Sequence, residues 1–580
     1  MNEQRFRWRN KQLREHVAVM DGKLAPTKLI KHATYLNVHM KEWMDAHIWI
    51  YQDRIIYVGE DLPETTEGTE VIDAKGQYLV PGYVEPHAHP FQLYNPQSLA
   101  HYATQTGTTT LVNDNLMWLF LHDKKKAFSL LEELAQLPAS VFWWSRYDSQ
   151  SMLQEKDQRK FERDMMDWLE HDAVIQGGEL TAWPEVMNGD DQMLHWMQET
   201  TRLRKPIEGH LPGSSDRTLT KMMLLGVNSD HESMTADDVL KRLRLGYNVG
   251  LRYSSIRPDL PEILKDLVER GHTQFDHMMM TTDGSTPSYY RDGVMNTCIQ
   301  IAIDAGVPVI DAYLMGSYNA ARHFQIDHRT GSIAPGRVAH INFLNSPDQP
   351  APHSVLAKGE WIRKDEELVH QFKSFEWEEK GVAPVKLDWD LTEDDLQFST
   401  PVGLEMANDV IMKPYPVNID PAMQKISKDF DESFLMLVDR EGEWRVNTLL
   451  KGFTTSLGGL VSTYSNTGDI ILTGKNKGDM KLAFQRMKEI GGGIVLAHEG
   501  EVVYELPLRV GGKMTDVSME TLIEQEKVLA DLVKSHGYQF GDPVYTLLFL
   551  SSVHLPFIRV TPAGIIDVKK KEVLFPAIMR

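Results

Sequence analysis

Two histidines, His87 and His89, stand two residues apart at the end of an apolar run, in the stretch Pro81-Gly82-Tyr83-Val84-Glu85-Pro86-His87-Ala88-His89. Side chains alternate along an extended chain, so both imidazoles face the same side of a strand. Four more polar residues close other candidate strands. Glu179 follows Ala173-Val174-Ile175-Gln176-Gly177-Gly178, and His210 follows Lys205-Pro206-Ile207-Glu208-Gly209. His231 follows Gly226-Val227-Asn228-Ser229-Asp230, and Asp283 follows the apolar run to Met280. Any one of these alone reads as an ordinary loop residue. Their shared placement at strand ends makes them a set. Four imidazoles and two carboxylates suffice for two divalent cations bridged by a carboxylate and a hydroxide, which points to hydrolysis by activated water.

The elements that must carry this set have a recognisable order. Ala46 to Ile50 and Arg54 to Gly59 read as a hairpin around Gln52-Asp53, and Tyr78 to Val80 reads as a further strand. From there to about residue 333, candidate strands alternate with loops and helices. The strands are Thr109 to Val112, Ala173 to Gln176, Pro206 to Glu208, Gly226 to Asn228, Val249 to Arg252 and Gln274 to Met280; helices include Asp237 to Leu245 and Pro261 to Arg270. Repeated strand–helix units imply a parallel sheet, and this many favour a closed (β/α)₈ barrel whose C-terminal mouth would gather the strand-end residues. A doubly wound open sheet is the alternative, but no glycine-rich phosphate loop supports it.

Strand texture returns at Ala339 to Leu344 and His353 to Trp361. The expected fold is therefore α/β, a TIM-like barrel inserted in a small β-sandwich, with a further α/β domain at the C-terminus. The divisions are 1–81 and 334–370 for the sandwich halves, 82–333 for the barrel, 371–400 for a linker and 401–580 for the last domain. Within the linker, Phe375 to Lys380 reads as a mostly solvated charged run, with docking of its two aromatics on a neighbouring domain as the alternative. In the last domain Met480, Ala483, Met487 and Ile490 recur at helical spacing, and Gly491-Gly492-Gly493 reads as the stop before a strand. No chemistry of its own is evident there.

Bulk properties narrow the partners. The chain's 580 residues exceed a single core, and 61 Lys+Arg against 82 Asp+Glu leave a net charge of −21. Such a surface repels phosphate backbones and anionic membranes, so a small molecule is the expected partner, with neither nucleic acid nor membrane. A single cysteine, Cys298, suits a reducing cytoplasm and leaves any metal site to His, Asp and Glu. Met1 to Lys23 is too charged for a signal peptide, and Leu547 to Ile558 is too short and too polar for a membrane span.

The order His-x-His, Glu, His, His, Asp resembles the binuclear site of the amidohydrolase superfamily, and the surrounding motifs resemble its adenine deaminase family. These are Gly178-Glu179 before Trp183-Pro184, Glu208-Gly209-His210-Leu211-Pro212-Gly213, His231-Glu232 followed by Lys241 to Gly246, and Thr282-Asp283. Asn319 to Phe324, Gly331 to Gly336, Gly491 to Gly493 and Glu505 to Leu508 extend the likeness over nearly the whole chain. The resemblance implies His87, His89 and Asp283 on one metal, His210 and His231 on the other, and Glu179 between them. It further implies Asp283 as the group that carries a proton to departing ammonia, with Glu232 orienting a ligand or touching the purine. Two divalent ions per chain are expected, Mn or Fe ahead of Zn, in a homo-oligomer. The sequence departs from the family at Pro90-Phe91-Gln92-Leu93, Asp114-Asn115-Leu116-Met117, Arg252-Tyr253-Ser254-Ser255, Gly284 and Tyr464-Ser465-Asn466-Thr467, positions around the presumed substrate pocket. No residue is assigned to substrate. Three functions remain in view: an adenine deaminase with a variant pocket, the same hydrolase on another aminated heterocycle or cyclic amide, and a non-catalytic binding paralogue.

Overall fold

A computed structural model describes residues 9–418, 420 and 423–580; the first eight residues of the charged N-terminal stretch lie outside it. Eight strands run in chain order around the barrel: β1 (Tyr83–Ala88), β2 (Thr108–Asp114), β3 (Ser140–Ser145), β4 (Val174–Leu180), β5 (Ile207–Gly209), β6 (Ser229–Asp230), β7 (Asn248–Arg252) and β8 (Met278–Thr281). Each pairs in parallel with the next. Between β8 and β1 the ring is nearly closed, and side chains join it: Thr281 Oγ1 donates to Glu85 Oε1 at 2.6 Å and Thr282 N to Glu85 Oε2 at 3.0 Å. Both faces of the strands are covered, as βα repeats require, so β1, β2, β3 and β4 are buried at every position.

Three strand positions differ from expectation. β3 was not anticipated, although Val141-Phe142-Trp143-Trp144 is β-branched and aromatic, and both tryptophans are fully buried. β6 begins at Ser229, three residues later than the expected start at Gly226, because Val227 N still donates to Met222 O at 3.0 Å and completes the preceding helix turn. β8 begins at Met278 rather than Gln274, since Met278 N closes a turn onto Phe275 O at 3.0 Å.

Outside the barrel, Ile341–Leu344 pairs antiparallel with Tyr78–Pro81, from Ile341 opposite Pro81 to Leu344 opposite Tyr78. The strands of residues 28–81 and 341–368 thereby share one nine-stranded sheet. In the charged run at 375–380 the docking alternative holds for Trp377, which is only 4% exposed and stacks on Trp118 at 6.3 Å, because its ring outweighs its hydrophilic neighbours in choosing burial.

A second nine-stranded sheet forms in the C-terminal part, backed by helix Lys477–Ile490. That helix ends at Gly491 with φ 78, a left-handed residue that glycine adopts without strain. This part sits over the barrel mouth. Thr515 N donates to Leu93 O at 2.7 Å, Asn95 Nδ2 to Thr515 O at 2.8 Å, and Thr286 Oγ1 to Asp542 Oδ2 at 2.7 Å. Tyr545 donates its hydroxyl to Gly284 O. No helix of the described residues is long and apolar enough to cross a membrane.

Candidate metal centre at the barrel mouth

All six strand-end residues converge. The period-two geometry of β1 sets Glu85, His87 and His89 on one side, and the rings of His87 and His89 lie 4.9 Å apart. His87 uses its Nδ1 on Glu208 Oε2 at 2.8 Å, His89 its Nδ1 on Asp114 Oδ2 at 2.9 Å, and His231 its Nδ1 on Glu208 Oε1 at 3.2 Å. A carboxylate only accepts, so each Nδ1 carries a hydrogen, and Nε2 is the nitrogen left to offer a lone pair to a cation. Those inward nitrogens face more carboxylates. His87 Nε2 is 3.3 Å from Asp283 Oδ1 and 4.0 Å from Glu179 Oε2, and His89 Nε2 is 3.2 Å from Asp283 Oδ1. His231 Nε2 is 3.6 Å from Glu179 Oε1, and His210 presents Nδ1 to that same oxygen at 2.6 Å.

His87 Nε2 is buried with no hydrogen-bond partner among the described residues. Turned towards anionic oxygens, that nitrogen needs either a proton or a metal cation between them. Imidazoles locked by carboxylates at the outer nitrogen are also the usual setting of metal-ligating histidines. The donor set therefore fits divalent cations. Three groups each bring their ligand atoms within 4.8 Å of one another: His87, His89 and Glu179; His87, His231 and Asp283; Glu179, His210 and His231.

Protonation follows from the same contacts. Burial pushes His87 down, but Glu208 outweighs it and lifts the imidazole to about 9. Burial would raise Asp283, yet Arg252, with Nε 2.6 Å from Oδ2, holds it well below the usual carboxylate range. Glu179 is likewise held low against burial by Arg146, whose Nη2 is 3.1 Å from Oε2. Glu232, opposed by burial, is drawn down to about 2 by His210, Arg252 and neighbouring cations; both its oxygens are engaged, one by Arg252 and the other by Arg257 at 2.9 Å.

Several neighbours escaped the sequence reading. Glu208 was quoted only as part of a loop motif, although it and His210 repeat the i, i+2 spacing of His87 and His89. Asp114 was noted only as a departure, but it ends β2 and fixes His89. Glu85, one period before His87, was overlooked. It accepts from Thr281, Thr282 and His87 N, and so anchors the loop bearing Asp283. Arg252 stands in the sequence reading only as a strand end and part of a divergent stretch, while Arg146, Gln150 and His554 carry no local signal, because their partners are distant in sequence. Burial beside His210 holds the His554 imidazole down at about 3.

Residues 78–364 match the amidohydrolase family and residues 410–572 the adenine deaminase C-terminal domain. The Oceanobacillus iheyensis protein OB0751, provisionally named an adenine deaminase, is 55% identical over 573 residues, covering 99% of each chain. YerA of Bacillus subtilis, named in the same provisional way, is 53% identical over 580 residues and 100% of each chain. Among solved structures, β-aspartyl dipeptidase of Fervidobacterium islandicum AW-1 is similar at 17% identity and a TM-score of 0.45, over 60% of this chain and 99% of that one. With its catalytic barrel matched by one family and its C-terminal part by the other, and with relatives above half identity along its whole length, the chain is a hydrolase acting on C–N bonds and belongs to the adenine deaminase family of amidohydrolases.

Proposed function

We propose that this protein hydrolyses the exocyclic C–N bond of an aminated purine-type ring, converting adenine and water to hypoxanthine and ammonia or making the same exchange on a related heterocycle. The observation that carries this reading is the convergence of the Nε2 atoms of His87, His89 and His231 on Glu179 and Asp283, with each Nδ1 fixed by a carboxylate. Two divalent cations, Mn or Fe in preference to Zn, would be held by His87, His89 and Asp283 on one side and His210 and His231 on the other. Glu179 would stand between, since its two oxygens face the two groups separately. Bound there, such cations lower the pKa of water so that hydroxide is available near neutral pH.

Asp283 has one oxygen tied to Arg252 and the other facing the cluster, which leaves Oδ1 to accept the hydroxyl proton and pass it to the amine as the C–N bond breaks. Glu232 acts through Arg252 on Asp283, because both its oxygens are already engaged. Cytoplasmic location, homo-oligomeric assembly and the division at 81, 333, 370 and 400 belong to the same proposal; the lone buried Cys298 supports the first.

The departures from the family pattern support a broader or shifted specificity. Two of them meet: Tyr464 donates its hydroxyl to Gln92 Oε1, so the segments 90–93 and 464–467 touch across the mouth. Steady-state ammonia release from adenine and a panel of aminated purines and pyrimidines tests the proposal. Metal-dependent release with adenine not the sole efficient substrate is expected. No release from any ring by metal-loaded protein would overturn the deaminase reading, and high efficiency confined to adenine would overturn the reading of the pocket.

A further inference from the structure

Between the loops after β3 and β4 and the C-terminal segment 553–573 lies a cavity of about 520 Å³, within the roughly 300–1,000 Å³ span of small-molecule sites. Two of its lining residues reach the ligand cluster. Gln150 donates from Nε2 to Glu179 Oε2 at 3.3 Å. Because an ionised carboxylate offers no hydrogen, the nitrogen must face Glu179, and the carboxamide oxygen is turned away from it. The backbone of Gln150 holds φ 54, a left-handed conformation costly for a non-glycine residue, and Val553 N donates to its carbonyl at 2.9 Å. The strain and the tie both serve to aim this one side chain.

His554 comes to the same cavity from the C-terminal part. Its ring lies 6.0 Å from that of His210, nearly perpendicular at 87°. Its Nδ1 is buried without a hydrogen-bond partner among the described residues, so no protein contact at that atom fixes the tautomer, and the ring can meet either a donor or an acceptor. At the rim, Lys571 Nζ bridges to Glu185 Oε1 at 2.7 Å, spanning from the C-terminal hairpin to the barrel.

We propose that Gln150 and His554 form a recognition subsite for the ring edge of the substrate, a planar nitrogen heterocycle with a ring N–H beside a second ring nitrogen. The carboxamide oxygen accepts from the N–H, and the imidazole pairs with its neighbour. This rests on the deaminase reading and deepens it, for the C-terminal domain then takes part in choosing the substrate that the barrel converts.

The test uses the metal-loaded full chain, with Gln150→Met and His554→Phe as variants that keep size and lose polarity. KM and kcat are measured on adenine and on 7-deazaadenine, which lacks one ring nitrogen, with metal content and melting temperature on the same preparations. KM is expected to rise tenfold or more with metal and fold retained, and the preference between the two rings should shrink in at least His554→Phe. Unchanged KM and unchanged preference in both variants would overturn the subsite. So would losses that simply track lost metal or lost fold. Should the wild type release no ammonia from either ring, the deaminase reading falls separately. Calorimetric binding of the same two rings to wild type and His554→Phe then decides the subsite, with equal affinities overturning it.

Discussion

Glu208 binds the outer nitrogens of two histidines at once, His87 at 2.8 Å and His231 at 3.2 Å, and so fixes two imidazoles that come from different barrel strands. Asp114 does the same for His89 and is itself held by Arg146 Nε at 2.8 Å. These carboxylates make the inward nitrogens good donors to a cation, and neither needs to touch it. Glu208→Gln keeps the shape but can accept properly from only one of the two rings, since its amide nitrogen would oppose an N–H. Metal affinity should fall roughly 10–100-fold while the barrel stays folded. Dialysis against a graded chelator series, with melting followed in parallel, reads the effect. Retention equal to wild type would show that Glu208 does not orient the ligands.

The loop after β8 explains the family departure at Gly284. Asp283 has φ 51 and Gly284 φ 63, so two consecutive residues turn left-handed to bring the carboxylate back over β1. A Cβ on Gly284 would collide with His89 Cβ and lie 2.9 Å from His89 Cδ2. Glycine is therefore required here both by conformation and by space. Gly284→Ala should destabilise the fold by more than about 1 kcal/mol and weaken metal retention by displacing His89. A melting temperature and metal content both equal to wild type would contradict this placement. At this scale the alternation of strands and helices was legible, because long periodic segments announce themselves, and the strand-end residues followed from it. Short β5 and β6 were harder to bound, having three and two paired residues set by their neighbours' register. Glu85 and Glu208 could have been read from the same i, i+2 spacing that revealed the histidines.

Over the whole molecule, the C-terminal part covers the barrel mouth through contacts between residues 238 to 420 positions apart, such as Ser288 with Glu526 and Asn95 with Thr515. Nothing periodic in the sequence encodes such contacts, which is why that domain looked chemically mute and why Gln150 and His554 were invisible until the chain was folded. The site that results joins barrel ligands to a partly roofed cavity, an arrangement that excludes bulk water from the carboxylate cluster and strengthens each charge interaction there. Turnover at this site rests on divalent cations in that cluster and on Asp283 moving the proton. The most direct test is metal content and initial ammonia-release rate, measured on the same preparations of wild type, His87→Ala and Asp283→Asn. Two cations per chain are predicted in the wild type and a loss of both metal and turnover in His87→Ala. Asp283→Asn should keep substrate binding and retained metal yet lose about 10²–10⁴-fold in kcat. A fully active wild type with one cation, or an Asp283→Asn variant that retains its metals and loses less than about tenfold in kcat, would contradict the account.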